Sequence, residues 1–587
     1  MKRLTILPLL ALLIGVQTAS AQFVITLEDG QQFSWDNLTI LSGNDDTWTL
    51  KNPQVTVAEG VSIDKVKSIT AVPVAERKAK TPTYVDNYTT IASWNARSRW
   101  NLSNVHDPTV MRADDGYFYM YQTDASYGNA HTSGGHFHGR RSRNLVEWEY
   151  LGGTMKSTPA WVKDSLNSIR SRQGLSAIAS PTYGYWAPCV RKVRTDLYRM
   201  YYSIVVDNYI KTGKKNTEAN FDNSWTERAF IGLMETSDPA SNKWEDKGFV
   251  VCSSSDKGTN WSRPSNTNWS GYFKFNAIDP SYIITPEGEH WLVYGSWHSG
   301  IAAVQLDPET GKTLDALPES YGTSKSIAPY GQLIYTRTTN SRWQGSEGPE
   351  VVWHDGYYYL FLAYDGLDVP YNTRVLRAEK ITGPYKTMGG SNVTNGGDAF
   401  PIVTHPYKFS DSYGWVGISH CAVFEDGQGN WYFCSQGRFP KDVDGINASN
   451  AIMMGHVRSI RWTEKGWPMV MPERYSGVPQ TPIDESELTG EWENISINYD
   501  YGKQKTSVSF TLEDSHQVSG SWQKGQKWSY DAEKRVLTIG SLKLYVQRET
   551  DWEAGSEKSA SHTGRKQTIV YAGYNSNGTY TYWGKKK

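Results

Sequence analysis

The chain has 587 residues, a formal net charge of -1 and 13% aromatic residues, with 24 Trp and 37 Tyr against 16 Phe. This near-neutral balance supplies no electrostatic reason to bind nucleic acid or a membrane surface, so neither partner is expected. An excess of Tyr and Trp over Phe is typical both of β-structure and of surfaces that bind sugars, and composition does not separate the two.

The N-terminus has the three parts of a secretory signal peptide. Lys2 and Arg3 are positively charged, Leu4–Val16 is apolar, and Ala19–Ala21 offers small residues for cleavage before Gln22. The apolar run is too short to span a membrane, and no Cys follows the cleavage site to carry a lipid. We therefore expect residues 1–21 to be removed and the protein to be secreted or periplasmic, as a monomer without a membrane span.

Residues 22–80 are predicted to form a small β-segment followed by a linker. Apolar and polar residues alternate around the turn Asp29-Gly30 and again in Val66–Thr70, as expected of strands that bury one face. Lys, Ala and Pro are concentrated from Val72 to Pro82, a composition typical of a linker.

One pattern occurs five times in residues 81–480. Each copy begins with a polar or aromatic residue, here called the head, followed by a short strand, a turn and an aromatic strand. The heads lie 79, 93, 68 and 73 residues apart and are Asp107, Trp186, Asp279, Glu347 and His420. A repeat of this length suits one four-stranded propeller blade. The pattern predicts an all-β, five-bladed propeller, without long helices, whose heads face one central axis.

Residues 481–587 are predicted to form a separate C-terminal domain. Asp484–Glu487 follows Thr481-Pro482 and marks the boundary. Short strand-like runs then recur at Gly490–Glu493, Ser507–Leu512, Val518–Trp522, Val536–Ile539, Leu542–Arg548, Thr568–Tyr571 and Thr579–Trp583. Such close spacing favours a small antiparallel β-barrel or sandwich.

The four cysteines, Cys189, Cys252, Cys421 and Cys434, match no metal-site spacing. Cys421 and Cys434 lie symmetrically about the turn Asp426–Gly429, so we expect them to be neighbours across two strands of the fifth blade. Export permits a disulfide between them, and two buried thiols are the alternative.

Asp107, Asp279 and Glu347 supply the carboxyl groups that glycosidic bond cleavage needs. One carboxyl must stay ionised as base or nucleophile, and another must hold its proton near neutral pH. A third carboxylate raises the pKa of the acid by repulsion. Spread across a funnel, the three groups leave room for a water molecule, which favours inversion. Asp before Pro often only caps a turn, but Asp107 and Asp279 both open equivalent repeats.

Glu350 is the competing acid. It lies three residues after Glu347, so strict strand alternation would turn it to the other face, although Pro349 can disturb that alternation. We prefer Glu347 because it holds the head position.

Several motifs in this order resemble glycoside hydrolase family 43, and within it the endo-α-1,5-L-arabinanases. They cover most of residues 100–475 and are Val105–Pro108, Asn276–Ser281, Val293–Trp297 with Gly300-Ile301, Ser346–Pro349, Tyr371–Val375, Gly437–Pro440, and Gly455–Arg458 with Gly466–Val470. The resemblance implies a five-bladed propeller that cleaves α-1,5-linked arabinofuranosyl backbones with inversion. It also implies Asp107 as general base, Glu347 as general acid and Asp279 as the residue that modulates the pKa of the acid. The C-terminal residues resemble the small β-domain of longer arabinanases.

The resemblance implies that His420 holds a central cation, commonly calcium, largely through water, although a lone His is more often a structural residue. His131, His136 and His138 form a second cluster, read as a solvated loop near the substrate rather than a metal site. The family usually has an acidic residue at the place of Cys189.

Three residues are candidates for binding the sugar. Trp186 is predicted to be an apolar platform for a furanose ring, with core packing as the alternative. Trp297 and Arg438 are weaker candidates for binding the sugar. Arg438 can equally pair with a structural carboxylate.

The expected substrate is plant cell-wall arabinan or its oligosaccharides. An exo-acting α-L-arabinofuranosidase or β-xylosidase on the same scaffold is the nearest alternative, and the height of the loops around the funnel separates endo from exo action. A non-catalytic glycan-binding protein and a structural protein of the cell envelope are further alternatives. The three carboxyl residues speak against a binding protein, which has no need of an acid.

Overall fold

The computed structural model describes residues 22–72, apart from 30–31, 36–38, 43–46 and 52–55, and most of residues 101–587. The gaps in this second range are 125–133, 225–227, 255–264, 266–274, 298–299, 316–327, 338–344, 411, 442, 444–449, 451–452 and 553–565. The predicted signal peptide, residues 73–82 of the predicted linker and His131 lie outside the described residues.

The N-terminal segment contains two three-stranded antiparallel sheets. The first, in the order β2-β1-β6, consists of β1 (Gln22–Leu27), β2 (Gln32–Trp35) and β6 (Val66–Val72). The second consists of β3 (Thr39–Ser42), β4 (Thr47–Lys51) and β5 (Thr56–Ser62). A 3₁₀ turn at Ile63–Lys65 joins β5 to β6. Ile25 and Leu27 are buried, so the alternation seen in the sequence does place one face of β1 in a core.

The predicted five-bladed propeller is confirmed, with five four-stranded antiparallel sheets in chain order. Blade 1 comprises β7 (Thr109–Arg112), β8 (Phe118–Tyr121), β9 (His136–Ser142) and β10 (Glu149–Met155). Blade 2 comprises β11 (Tyr183–Arg194), β12 (Leu197–Val206), β13 (Ala229–Thr236) and β14 (Glu245–Cys252). Blade 3 comprises β15 (Ser281–Ile284), β16 (His290–Tyr294), β17 (Ile301–Leu306) and β18 (Gln332–Tyr335). Blade 4 comprises β19 (Ser346–His354), β20 (Tyr357–Tyr364), β21 (Asn372–Ala378) and β22 (Ile402–Thr404). After the short strand β23 (Tyr407–Lys408), blade 5 comprises β24 (Cys421–Glu425), β25 (Trp431–Gly437), β26 (Met454–Trp462) and β27 (Pro468–Val470).

Aromatic side chains fill the space between neighbouring blades. The ring centroids of Tyr201 in blade 2 and Tyr282 in blade 3 are 4.9 Å apart. Phe118 of blade 1 packs in the same way on Phe424 of blade 5, with centroids 5.9 Å apart, so aromatic packing also closes the circle. Each such burial contributes roughly 1.5–3 kcal/mol, which explains why the second strand of each repeat is rich in Tyr, Phe and Trp.

A ring of hydrogen bonds ties the innermost strands together. In each case a side chain in one blade accepts from a backbone N–H in the next. The donor–acceptor pairs are Val190 N to Thr109 Oγ1 (3.0 Å), Tyr282 N to Cys189 Sγ (3.3 Å), Val351 N to Ser281 Oγ (3.0 Å) and Val423 N to Glu350 Oε1 (3.0 Å). The fifth equivalent position is Ala422, which has no polar side chain. This ring sets the register of the blades around the axis.

The register corrects the predicted alignment of the heads. Each blade has a residue of positive φ near the start of its innermost strand, before the strand in blades 1, 3 and 5 and within it in blades 2 and 4. The five residues are Asp107, Ala187, Asp279, Gly348 and His420. The heads of blades 1, 3 and 5 are therefore equivalent, whereas Trp186 and Glu347 lie one residue before the equivalent position. A β-bulge follows each of these two residues and absorbs the extra residue.

An α-helix of 13 residues, α1 (Ala160–Arg172), lies between blades 1 and 2, in a part of the chain where no helix was predicted. It buries Val162, Leu166 and Ile169, whose spacing of four and three residues is typical of an amphipathic helix. Further 3₁₀ turns lie at Pro239–Ser241, Ala328–Tyr330 and Glu485–Glu487. Within the described parts of the chain, the helices fall short of the length and apolarity needed to cross a membrane.

The C-terminal domain is a nearly closed, eight-stranded antiparallel barrel, as predicted. Its strands are β28 (Gly490–Ile497), β30 (Val508–Leu512), β31 (Val518–Gly520), β32 (Trp528–Asp531), β33 (Val536–Ile539), β34 (Leu542–Asp551), β35 (Lys566–Tyr574) and β36 (Thr581–Lys586). Their order in the sheet is β31-β30-β28-β36-β35-β34-β33-β32. Strand β32 was not predicted from the sequence, because it carries a single buried residue, Trp528.

The barrel packs directly on blades 4 and 5. The short strand β29 (Lys505–Thr506) pairs in parallel with β23, which precedes blade 5. Trp583 lies edge-on to Tyr407 with ring centroids 5.1 Å apart, and its Nε1 donates to Val470 O at 2.9 Å. Barrel and propeller therefore share a buried core.

Of the two alternatives for Cys421 and Cys434, the structure has two buried thiols and no disulfide. Cys421 pairs with Ser435, and Ala422 pairs with Cys434, so the two cysteines are one residue out of register on adjacent strands. Such a shift places the side chains on opposite faces of the sheet. All four cysteines are buried free thiols.

Candidate active site

Asp107 lies at one mouth of the central channel in a cage of donors. Its Oδ1 is 3.1 Å from Nδ1 of His420, and its Oδ2 is 3.2 Å from Nδ1 of His106 and accepts a 2.6 Å hydrogen bond from Thr123 Oγ1. Its backbone N–H donates to Gln436 Oε1 at 2.7 Å. Burial by itself raises the pKa of Asp107, but the two imidazoles and the Thr123 hydroxyl outweigh it and hold the pKa well below its usual range. Asp107 is therefore ionised.

Asp279, across the channel in blade 3, has the opposite protonation behaviour. Burial raises the pKa of Asp279 to about 7, helped by the carboxylates of Glu347 and Asp107 and opposed by His420 and by the Gly348 N–H. That N–H donates to Asp279 Oδ2 at 3.0 Å and so joins blade 3 to the residue after Glu347. The site thus contains one carboxylate and one carboxyl group that keeps a proton near neutral pH.

Glu347 is held by three hydrogen-bond donors. Its Oε2 accepts from Trp297 Nε1 at 2.6 Å and from Ser296 Oγ at 3.1 Å, and its Oε1 accepts from Tyr371 OH at 2.6 Å. The Trp297 indole lies flat on Gly345, where an added Cβ would be 2.5 Å from Cδ2 of the ring. Because the two oxygens are held by donors from two separate inter-strand segments, the fold sets the direction of the Glu347 carboxyl group.

His420 faces all of these carboxyl groups. Burial lowers the pKa of His420, but Asp107, Asp279, Glu347 and Glu350 together raise it above its ordinary value. Its ring lies against Gly348, which has a φ of 53° and whose added Cβ would be 2.9 Å from Cγ of the imidazole. Only glycine satisfies both the backbone conformation and the contact.

The donor set around His420 suits only a water-rich cation site. Among the described residues, no group of three or more His, Cys, Asp or Glu side chains is arranged to hold a metal ion. Nδ1 of His420 is already engaged by Asp107, so the imidazole offers a single nitrogen. Calcium at this point would take most of its oxygen ligands from water.

Glu350 points to the same side of the strand as Glu347, contrary to the expectation from alternation. Glu347 pairs with Ala363 and Glu350 with Phe361, so the β-bulge between them restores a common face. Glu350 is 4% exposed and is fully occupied: Arg191 Nη2 donates at 2.5 Å and Ser281 Oγ at 2.8 Å, besides the Val423 N–H. Its place is in the ring of inter-blade hydrogen bonds, deeper in the channel. Cys189 holds the equivalent place in blade 2.

The remaining predicted binding residues differ in their accessibility. Trp186 is 40% exposed, and its indole rests on Gly184 at the channel mouth, as a sugar platform requires. Trp297 is half-buried and holds Glu347. Arg438 is buried and donates to Asp368 and Asn450, which agrees with the alternative that it pairs with a structural carboxylate.

The described part of the second histidine cluster is buried rather than solvated. His136 Nδ1 lies 2.5 Å from Asp124 Oδ2, and its ring stacks on Tyr185 with centroids 3.5 Å apart. His138 Nδ1 is bonded to Tyr150 OH at 2.7 Å. Both rings therefore have protein partners at the junction of blades 1 and 2.

Several residues of the site were not singled out from the sequence. His106, Ser296 and Tyr371 lie inside the recognised motifs, so their place in those motifs could have identified them. Thr123 and Gln436 lie outside them, at or after the ends of the second strands of blades 1 and 5, and only the assembled ring brings them to Asp107.

A cavity of about 1230 Å³ lies at the other mouth of the channel, lined by residues that include Arg112, Asp114, Lys192, Trp353 and Trp431. None of the three carboxyl residues lines it. We place the chemistry where the carboxyl groups meet, because size alone supplies neither a base nor an acid.

Comparison with known proteins agrees with this geometry. Residues 102–468 match the model of glycosyl hydrolases family 43, and residues 472–584 match a C-terminal lipocalin-like domain that accompanies it. An extracellular endo-α-(1→5)-L-arabinanase of Bacillus subtilis (strain 168) is 24% identical over 78% of this chain and 89% of the relative. An extracellular exo-α-(1→5)-L-arabinofuranosidase of Cellvibrio japonicus (strain Ueda107) is 25% identical over 62% of this chain and 86% of the relative.

The same architecture occurs among solved structures. An endo-1,5-α-L-arabinanase from Thermotoga petrophila RKU-1 superposes with a TM-score of 0.59 at 20% identity, covering 83% of this chain and 99% of that one. The family model spans more than half of the chain and includes Asp107, Asp279 and Glu347. The resemblance inferred from the motifs is thereby confirmed, and the chain belongs to family 43 of the glycosyl hydrolases.

Proposed function

We propose that the protein hydrolyses internal α-1,5-L-arabinofuranosidic bonds of arabinan with inversion of the anomeric configuration. The observation that carries the proposal is that three carboxyl residues at one channel mouth differ in protonation and orientation. Asp107 is ionised, Asp279 keeps a proton near neutral pH, and Glu347 is oriented by three donors. A binding protein has no need of this arrangement, whereas hydrolysis of an acetal does.

In the proposed mechanism Asp107 accepts a proton from the attacking water. His420, His106 and Thr123 keep its carboxylate charged and pointing in one direction. Glu347 donates a proton to the leaving sugar oxygen, held for that step by Trp297 and Tyr371.

Asp279 contacts the strand of Glu347 through Gly348. A change in its charge therefore alters the electrostatic field at the acid, which is the modulating role we assign to it.

Arabinan as substrate is supported by the names of the relatives. The relatives from Bacillus subtilis and Thermotoga petrophila are both named endo-arabinanases, which favours endo action. The exposed face of Trp186 suits the apolar face of an arabinofuranose ring. The second candidate is exo-acting arabinofuranosidase activity, because the Cellvibrio japonicus relative has that name.

We further propose that the protein is exported and binds calcium. Relatives named as extracellular support export, together with the signal-peptide pattern at the N-terminus. Calcium would be held at His420 largely through water, and would supply positive charge beside the carboxylates.

The test is the product profile over time on linear debranched arabinan, with Glu347→Gln and the exposed control Glu379→Gln beside the unmodified protein. We expect mixed oligosaccharides early, with the β-anomer formed first by NMR. Glu347→Gln should lower the rate by about 10²–10⁴-fold, and Glu379→Gln should not change it. Arabinose alone from the start would indicate the exo activity, and no release from arabinan or its oligosaccharides would overturn the proposal.

A further inference from the structure

A side chain of the C-terminal barrel enters a buried polar network beside the active site. Tyr499, which follows β28, donates its hydroxyl to Asp365 Oδ2 at 2.9 Å. Asp365, next to the last residue of β20 in blade 4, is 7% exposed. Its Oδ1 accepts from Arg337 Nη1 at 2.5 Å, and its Oδ2 also accepts from Asn372 Nδ2 at 3.0 Å. One buried carboxylate thus joins barrel and propeller.

Both propeller partners of Asp365 lead to Glu347. Asn372 follows Tyr371, whose hydroxyl donates to Glu347 Oε1 at 2.6 Å. Asn372 Nδ2 also donates to Pro370 O at 2.9 Å, so the same amide spans the turn that carries Tyr371. On the other side, Arg337 Nη1 reaches the carbonyl oxygen of Gly345, two residues before Glu347, at 3.5 Å. Asp365 therefore supports the two segments that aim the Glu347 carboxyl group.

The ring of Tyr499 and its hydroxyl make different contacts. The ring covers the buried guanidinium of Arg374, whose Cζ is 4.7 Å from the ring centroid, a cation–π contact that phenylalanine would keep. The hydroxyl donates the hydrogen bond to Asp365. Removing only the hydroxyl leaves a buried carboxylate with one donor fewer, which loosens Asp365 without removing packing.

Docking of the barrel does not depend on this hydroxyl. Three other contacts hold the barrel against blade 5 and the segments before and after it. They are the β23–β29 pairing, the bond from Trp583 to Val470, and the ion pair of Lys585 with Glu473 at 3.0 Å. The Tyr499 hydroxyl is directed instead at blade 4, the blade that carries Glu347.

We propose that Tyr499 is a positioning residue for catalysis. Through Asp365 its hydroxyl fixes the turn of Tyr371 and Asn372 and so orients Glu347 toward the leaving oxygen. The inference rests on the proposed role of Glu347 as general acid. It assigns the C-terminal barrel a part in the proton-donating step, in addition to any stabilising role.

The experiment compares Tyr499→Phe with the unmodified protein, Glu347→Gln and a matched control. The control is Tyr574→Phe, which also removes a hydroxyl at the barrel–propeller interface, but one that donates to Pro468 O in blade 5. The substrates are α-1,5-arabinobiosides of 2,4-dinitrophenol, which leaves without protonation, and of phenol, which needs the acid, together with linear arabinan.

We expect Tyr499→Phe to lower kcat for the phenyl glycoside and arabinan about tenfold at unchanged KM, and to leave the dinitrophenyl glycoside unaffected. Tyr574→Phe should match the unmodified protein on all substrates. Equal losses on both aryl glycosides, or no loss on either, would overturn the inference. If Glu347→Gln selectively loses hydrolysis of the phenyl glycoside and Tyr499→Phe does not, only the inference about Tyr499 fails. If Glu347→Gln shows no leaving-group dependence, the proposed role of Glu347 as general acid fails as well, whereas the proposed hydrolysis of arabinan fails only if the unmodified protein releases no product.

Discussion

Replacing Glu350 with Gln is expected to weaken the fold and spare hydrolysis, the reverse of the same change at Glu347. The Glu350 carboxylate accepts from Arg191, Ser281 and Val423, which belong to three different blades. Gln keeps the size of the side chain and one acceptor oxygen, but it leaves the Arg191 guanidinium without its counter-charge.

The magnitude follows from burial. The side chains of Glu350 and Arg191 are 5% and 19% exposed, so water replaces little of the lost interaction. Breaking a buried ion pair by removing one partner costs about 3–5 kcal/mol. Because Arg191 keeps its bonds to Val190 O and Thr109 Oγ1, we expect the lower end of that range, about 3 kcal/mol in the free energy of unfolding.

The assay is urea unfolding followed by tryptophan fluorescence, with initial rates on linear arabinan measured at low urea. Glu350→Gln should unfold at lower urea with kcat within about threefold of the unmodified protein, because its carboxyl group is absent from the proposed proton transfers. The double variant Arg191→Met with Glu350→Gln is the control. It removes the unpaired charge and should recover part of the lost stability.

The opposite pattern would refute the reasoning. If Glu350→Gln abolished hydrolysis at an unchanged unfolding midpoint while Glu347→Gln remained active, Glu350 would be the acid. The assignment of Glu350 to the inter-blade ring would then be wrong.

Two further predictions concern metal and pH. Removal of metal by chelation, verified by elemental analysis, should lower the melting temperature of the unmodified protein but not that of His420→Ala; unchanged melting after complete removal would count against the calcium site. Burial and the neighbouring Glu473 raise the pKa of Glu549 to about 8, from 4.5 in the unfolded chain. The native state then binds more protons between these values, so this contribution to stability is present below pH 4.5 and is lost as the pH rises through 8. Glu549→Gln should flatten that decline in urea midpoints measured from pH 5 to 8, and an identical decline in both proteins would contradict the assignment.

The repeated strands and the residues that begin them were predictable from the sequence. Apolar and aromatic alternation recurs because each blade buries both faces against its neighbours, and it identified the propeller and most strands of the barrel. Asp107, Asp279 and Glu347 were recognisable because each stands at the start of a repeat. Helix α1 was also within reach, since Val162, Leu166 and Ile169 carry a helical spacing.

The register between adjacent strands could not be predicted from the sequence in the same way. A one-residue shift between strands reverses the face of a side chain, and local sequence does not reveal such shifts. For that reason the sequence left open whether Cys421 and Cys434 form a disulfide, and whether Pro349 lets Glu350 face the same side as Glu347. Arg438 carries no local sign that Asp368 and Asn450 will occupy it.

The chain by itself determined the number of blades, the type of each domain and the three carboxyl residues, because these depend on short-range patterns that repeat. Only the tertiary structure decided which carboxyl keeps a proton, and why Glu350 belongs to the scaffold. It also showed that Tyr499 of the barrel reaches toward Glu347 of the propeller. The protonation of Asp107 and Asp279 depends on burial and on charges brought from other blades, and these exist only once distant segments meet.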